Sequence, residues 1–212
     1  MMTKPGLLIV FSGPSGAGKD TVLKRFLDEN PDCALSVSAT TRAPREGEVD
    51  GENYFFITRE RFGELTAMGE MLEYAYYNGN YYGTPKDMVE EQRARGKNVI
   101  LEIEVQGALK IKEMGIDAVF IFLMPPSWKT LKQRLANRNT DSPWNVAERL
   151  NIAVTEMESA HLYDYIVVND DLDACTAQMK AVVAAAQCRA EYCRELVEEV
   201  LRDAQTIHVS DN

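Results

Sequence analysis

Histidine is nearly absent from this chain. Its 212 residues hold only His161 and His208. Neither stands in a pattern with a nucleophilic partner, which argues against His-dependent acyl chemistry. Positive charge is also scarce: 23 Lys and Arg face 33 Asp and Glu, for a net charge of -10. A protein that coats duplex nucleic acid needs a basic surface, so nucleic acid is not an expected partner. A small phosphorylated ligand stays open, because a few local arginines build a positive pocket even in an acidic chain. No apolar run approaches the ~18–20 residues of a membrane span, so no membrane partner is expected. The apolar stretch near the N-terminus, Leu7 to Phe11, is too short for a signal-peptide core, and a cytoplasmic location is expected. The four cysteines, Cys33, Cys175, Cys188 and Cys193, form no C-x-x-C pair and no zinc spacing, so reduced thiols are expected.

What the chain does have is the balance of a folded protein, 45% hydrophobic and 26% charged. Its length suits one compact domain with small insertions. Leu7 to Phe11, Asn98 to Ile103, Ala118 to Leu123 and Tyr165 to Val168 are short, nearly continuous apolar runs. Such runs suit strands buried on both faces, the habit of parallel sheets. Between them lie helical stretches at Thr21 to Glu29, Lys86 to Arg95, Ser127 to Leu135 and Val146 to Ser159, and one long amphipathic helix is expected from Leu172 to about Ala204. Strands alternating with helices imply an α/β fold with a parallel sheet. Ser36 to Tyr82 breaks the rhythm and reads as a small β-rich insertion with a short helix near Glu60 to Met68. Arg134 to Pro143 is polar and reads as an exposed connection, a candidate lid.

Gly13-Pro14-Ser15-Gly16-Ala17-Gly18-Lys19 follows the first strand and opens a helix, the context a G-x-x-x-x-G-K phosphate loop requires. Its glycines let successive N–H groups turn toward an anion. The helix N-terminus adds a favourable dipole, and Lys19 brings a mobile positive charge. The next position ordinarily carries a Ser or Thr whose hydroxyl ligates Mg²⁺. Here it is Asp20, followed by Thr21. Two readings stand: a carboxylate at a helix start is favoured by capping and dipole, and it is also a hard oxygen ligand for Mg²⁺.

The acceptor site must come from elsewhere. Ser38-Ala39-Thr40-Thr41-Arg42-Ala43-Pro44-Arg45-Glu46-Gly47-Glu48 opens the insertion, with Asp50-Gly51-Glu52-Asn53-Tyr54 after it. Two arginines three apart around a proline suit the planar oxygen edges of a phosphate, and the Tyr54 and Tyr82 hydroxyls extend such a cage. The order of these pieces, with G-E-M-L-E-Y, G-N-Y-Y-G-T, Leu101 to Gly107, Arg134 with Arg138, and Val168-Asn169-Asp170, resembles the guanylate kinase family.

The resemblance spans nearly all of the chain from Leu7 to the C-terminal helix. It implies a three-layer P-loop fold with a parallel sheet, a GMP-binding insertion at 36–86 and a short lid at 126–150. It further implies transfer of the ATP γ-phosphoryl to GMP, with Mg²⁺. By the same resemblance Ser38, Glu73, Thr84 and Glu104 surround the guanine, while Arg42, Arg45, Tyr54 and Tyr82 hold the GMP phosphate. Glu102 supports Mg²⁺ through water, Asn169 contacts the adenine side, and Arg134, Arg138 and Arg149 close over the moving phosphoryl beside Lys19. Taken singly, the residues leave simpler roles open for several of these: a solvated loop for Arg42 and Arg45, a solvated strand position for Glu73, a surface ion pair for Arg149, and a turn at the strand end for Asn169.

Glu73 makes chemical sense as a guanine reader. Guanine presents two adjacent donors, N1–H and the 2-amino group, to two carboxylate oxygens. Adenine places a lone pair at N1. Two other functions remain in view. One is a ribose-bisphosphate kinase of related fold, which can also carry Asp after the loop lysine. The other is a kinase-like peptide-binding module without chemistry, against which the retained Gly13, Gly18 and Lys19 argue.

Overall fold

In the computed structural model, which describes residues 5–77, 79–136 and 143–210, two sheets share the work of positioning the site. The elements in chain order are β1 (Leu8–Ser12), α1 (Lys19–Glu29), β2 (Cys33–Leu35), β3 (Ala39–Thr40), β4 (Phe55–Phe56), α2 (Arg59–Ala67), β5 (Met71–Tyr77) and β6 (Asn80–Pro85). There follow α3 (Lys86–Ala94), β7 (Asn98–Glu102), α4 (Val105–Glu113), β8 (Val119–Met124), α5 (Trp128–Ala136), α6 (Pro143–Glu158), β9 (Tyr165–Val168), α7 (Leu172–Gln187) and α8 (Arg194–Ser210).

The larger sheet runs β2-β7-β1-β8-β9, with every neighbouring pair parallel. Period-two side-chain alternation divides its buried runs between two cores. Leu7, Ile9 and Phe11 join Ile121, Leu123, Phe26 and Met179 on one face. Leu8 and Val10 join Leu101, Ile111, Phe120 and Phe122 on the other. Each fully buried side chain of this kind contributes about 1.5–3 kcal/mol relative to exposure. Helices on both faces make the expected three layers.

Strand β1 lies between β7 and β8, so the chain leaves it toward one edge and later returns to build the other. Ligands bind such sheets in the crevice at the carboxyl ends of the strands, where the winding reverses. The loop after β1, Glu102 at the end of β7 and Asn169 after β9 all open there.

The smaller sheet, β4-β3-β6-β5, lies within the segment read as an insertion. Its β3–β6 and β5–β6 pairs are antiparallel and its β3–β4 pair is parallel. Phe62 of α2 packs beneath it with Ala39 and Met71, its ring stacked 5.3 Å from Tyr81.

Several expectations need correction. Leu172 to Ala204 is not one helix: α7 ends at Gln187, and α8 starts at Arg194 after a 3-10 turn at Ala190–Cys193. Arg189 is extended (φ -57°, ψ 139°), which brings Tyr192 back against the main core and lets its hydroxyl donate to Asp117 at 2.7 Å. A tertiary contact thus overrides helix propensity. Two elements were not anticipated, the short parallel strand β2 and helix α4. Arg134 belongs to the last turn of α5, not to an exposed connection, and residues 137–142 of that connection lie outside the described residues.

Candidate active site

The glycine loop folds as its spacing requires. Gly16 and Gly18 sit at φ 88° and 94°, where L side chains are strained. At Gly13 close approach is the reason for glycine, since a Cβ there would stand 2.4 Å from the carbonyl oxygen of Leu123. The Lys19 ammonium donates back to the Gly13 oxygen at 2.8 Å and the Pro14 oxygen at 3.5 Å.

The loop is braced from two sides. Asn169 Nδ2 donates to the Ala17 oxygen at 2.7 Å, and Arg134 donates to the Ala17 oxygen at 3.1 Å and the Asn169 oxygen at 3.0 Å. From α6, Arg149 donates to Ser15 Oγ through Nε at 3.2 Å and Nη2 at 2.5 Å. A cavity of about 360 Å³ lies beside the loop, lined by Gly16, Gly18, Thr21, Arg134, Asn169 and Asp170 among others.

Asp20 stands in the first turn of α1, and the helix N-cap, Gly18, receives no side-chain bond. The Asp20 carboxyl instead meets that of Glu102 within hydrogen-bonding reach; burial first, then the Asp20 charge, push Glu102 up to about 7, with Lys19 opposing. Two carboxyls in contact are stable only if they share a proton or a cation. Among the described residues no group of three or more His, Cys, Asp or Glu is placed to hold a metal ion. Asp20 and Glu102 are thus the carboxylates that could face Mg²⁺ here, which fits an ion that keeps its waters and takes its other ligands from substrate phosphates.

The second cavity, about 300 Å³, brings Ser38, Tyr54, Glu73, Tyr82, Glu102, Glu104 and Gly107 together. Strand β7 ends at Glu102 and Glu104 is the N-cap residue of α4, so the two carboxylates escape strand alternation and both line this space. Glu73 is buried on β5, and Thr84 of the paired β6 donates its hydroxyl to Oε1 at 2.8 Å. A Cβ on Gly107 would lie 3.0 Å from Glu73 Oε2, so glycine there leaves the carboxylate room. Burial raises the Glu73 pKa, Glu104 adds to this, and Thr84 and Lys110 oppose it.

At the mouth, Arg42 is already engaged. Its Nη1 and Nη2 donate to the two Glu48 oxygens at 2.9 and 2.8 Å, and its guanidinium lies 5.4 Å from the Tyr54 ring centre. The Arg45 N–H also donates to Glu48 at 2.7 Å, while the Arg45 side chain is exposed. The Arg42 hydrogen bond holds Glu48 below the usual carboxylate range. Arg138, the remaining expected site residue, lies outside the described residues.

Sequence reasoning assigned no role to Glu48, Lys110 or Glu156. The signal for Glu156 was present: it stands seven residues after Arg149, two turns along one helix face.

The guanylate kinase profile matches residues 6–186. The chain belongs to the guanylate kinase family. A guanylate kinase of Clostridium perfringens (strain SM101) is 48% identical over 198 residues, 93% of this chain and 92% of that protein. A guanylate kinase of Halalkalibacterium halodurans is 49% identical over 191 residues, 90% of this chain and 94% of that protein. The solved structure of a guanylate kinase from Anaplasma phagocytophilum superposes with a TM-score of 0.72 at 34% identity, covering 93% of this chain and 96% of that one. Membership in the guanylate kinase family agrees with the parallel sheet and the loop that follows its central strand. No helix among the described residues is long and apolar enough to cross a membrane.

Proposed function

We propose that this enzyme transfers the γ-phosphoryl of ATP to GMP, giving ADP and GDP, as the names of its relatives imply. The single observation that supports the acceptor is Glu73, a buried carboxylate in its own cavity, aimed by Thr84 and given space by Gly107. The guanine N1–H and 2-amino group donate to Glu73, with Ser38, Thr84 and Glu104 around the base. Arg42, Arg45, Tyr54 and Tyr82 hold the GMP phosphate. For Arg42 this means exchanging the Glu48 carboxylate for a phosphate, a swap between two planar oxygen edges.

On the donor side, the loop 13–18, through the N–H groups of its residues other than Pro14, and the Thr21 hydroxyl surround the triphosphate, Lys19 reaches its terminal phosphates, and Asn169 borders the adenine. The loop holds the donor and the smaller sheet holds the acceptor. The protein thereby converts an encounter into an aligned displacement and supplies charge to the spreading transition state. Arg42, Arg134, Arg138 and Arg149 supply the rest of that charge, with 36–86 as the GMP-binding unit and 126–150 as the lid. Asp20 and Glu102 would hold Mg²⁺, directly or through water, and the ion would neutralise phosphate charge. The proposed setting is the cytoplasm.

ADP release measured with GMP, AMP and ribose bisphosphate as acceptors tests this reading. GMP is expected to be the efficient acceptor; equal rates with AMP, or a preference for ribose bisphosphate, would overturn it.

Two further outcomes follow from the same arrangement. Arg45→Lys keeps the charge but loses the planar fork. The GMP KM is expected to rise about tenfold, the scale of one charged hydrogen bond, with the ATP KM nearly unchanged. Equal rises in both would remove Arg45 from the acceptor site. Asp20→Ser relieves the carboxyl pair but exchanges a charged oxygen ligand for a weaker neutral hydroxyl. The gain in nucleotide affinity on adding Mg²⁺ is therefore expected to be smaller in the Ser variant than in the wild type, read by calorimetry with and without the ion. The same gain in both proteins would leave Asp20 with no part in the metal's shell.

A further inference from the structure

Helix α6 presses two charged side chains onto one residue of the phosphate loop. Arg149 donates to the Ser15 hydroxyl, and two turns later Glu156 Oε2 accepts the Ser15 backbone N–H at 3.4 Å. Glu156 is half-buried; burial raises its pKa and Glu104 adds to this, while Lys19 and the Ser15 N–H oppose it. Lys19 meanwhile donates to the Gly13 and Pro14 carbonyls of its own loop. Two donors that an anion in the cradle would use are thus already taken by the chain's own acceptors.

A carboxylate oxygen on a loop N–H carries the same sign of charge and accepts in the same way as a phosphoryl oxygen. We propose that Glu156 competes for a phosphate seat of the loop, and that the donor's phosphates must displace it to bind. Glu156 is then a positioning residue. While it is seated, α6 is tied to the loop at two points of Ser15. Once an anion takes the N–H, the Arg149 contact remains and the carboxylate is expelled by like charge. Filling the donor site therefore resets the helix that carries Arg149.

The inference rests on reading Gly13 to Lys19 as the donor loop. It differs from a purely structural role, in which Glu156 supports the loop's shape and its loss weakens anion binding.

The test is calorimetry on the full chain without Mg²⁺, using inorganic pyrophosphate and ADP as probes. Glu156→Gln keeps the shape and an amide oxygen but removes the charge. Glu158→Gln removes the same charge from an exposed position on the same helix. Both probes are expected to bind Glu156→Gln roughly tenfold more tightly than wild type, the scale of one hydrogen bond to a charged group. Glu158→Gln should match the wild type. In turnover, the ATP KM of Glu156→Gln should fall while kcat does not rise. Unchanged or weaker binding by Glu156→Gln overturns the proposal, as does equal tightening by Glu158→Gln. Should Glu156→Gln fail to fold, Glu156→Asp draws the carboxylate back by one carbon and should tighten binding to a smaller degree; weaker or unchanged binding there also overturns it. A wild type that binds pyrophosphate but transfers nothing to GMP would sink the functional reading and still leave Glu156 scored by the binding comparison.

Discussion

Replacing Lys19 with alanine is expected to lower kcat for phosphoryl transfer by about 10³-fold, the scale of removing one preorganised charge from a transition state of this kind. The fold should survive. Among the described residues the Lys19 ammonium hydrogen-bonds to the Gly13 and Pro14 carbonyls, at the open start of α1. Losing them costs about 0.5–1.5 kcal/mol each at most. The check is single-turnover kinetics beside a thermal melt. A folded variant with a rate within about tenfold of wild type would remove Lys19 from the chemistry, since one lost hydrogen bond already explains that much.

Glu73→Gln carries the second large effect. A glutamine offers one acceptor and one donor where guanine presents two donors, so one donor is left facing an N–H in a buried site. A mismatch of that kind costs roughly 1–3 kcal/mol or more, and kcat/KM for GMP is expected to fall by about 10²-fold while that for AMP holds or rises. An unchanged ratio of GMP to AMP efficiencies would mean Glu73 does not read the base.

Acidity supplies an independent check. Burial raises the Glu73 pKa, and the ionised form is the one that accepts both donors. GMP affinity should therefore be full at higher pH and be lost as pH falls through a value above the ordinary ~4.3 of glutamate. The substrate's own phosphate titrates near ~6. It does so equally against Glu73→Gln, so the wild-type pH profile divided by that of the variant isolates the carboxylate. A ratio flat with pH would contradict the assignment.

What was legible in the sequence followed from strong local physics. The apolar run Leu7 to Phe11 before a glycine loop left little choice but a buried strand feeding an anion-binding helix. Tyr54-Phe55-Phe56 and Met71 to Tyr76 announced the smaller sheet by their composition, although β4 keeps only two paired residues. Features that depend on the partner were hidden. Strand β2 is three residues long and exists because Ala34 pairs with Val99, a neighbour 65 positions away in the chain. Only two residues separate helix α4 from β7, so its apolar period, Val105, Ala108 and Ile111, was masked by the strand before it. The break between α7 and α8 carries no glycine or proline and is set by Tyr192 reaching Asp117. In the site, motif order pointed to Ser38, Glu73 and Glu104, which share one cavity. Motif order could not show that Glu48 holds Arg42, or that Arg134 and Asn169 both bond the loop's own carbonyl at Ala17.

The central claim is that phosphorus moves from ATP to the phosphate of GMP in a site read by Glu73. ³¹P NMR of the protein with ATP, Mg²⁺ and GMP follows that atom. The account predicts the two phosphorus signals of GDP growing in step with ADP, and no such growth when AMP replaces GMP. Release of inorganic phosphate in place of GDP, or equal product with AMP, would contradict it.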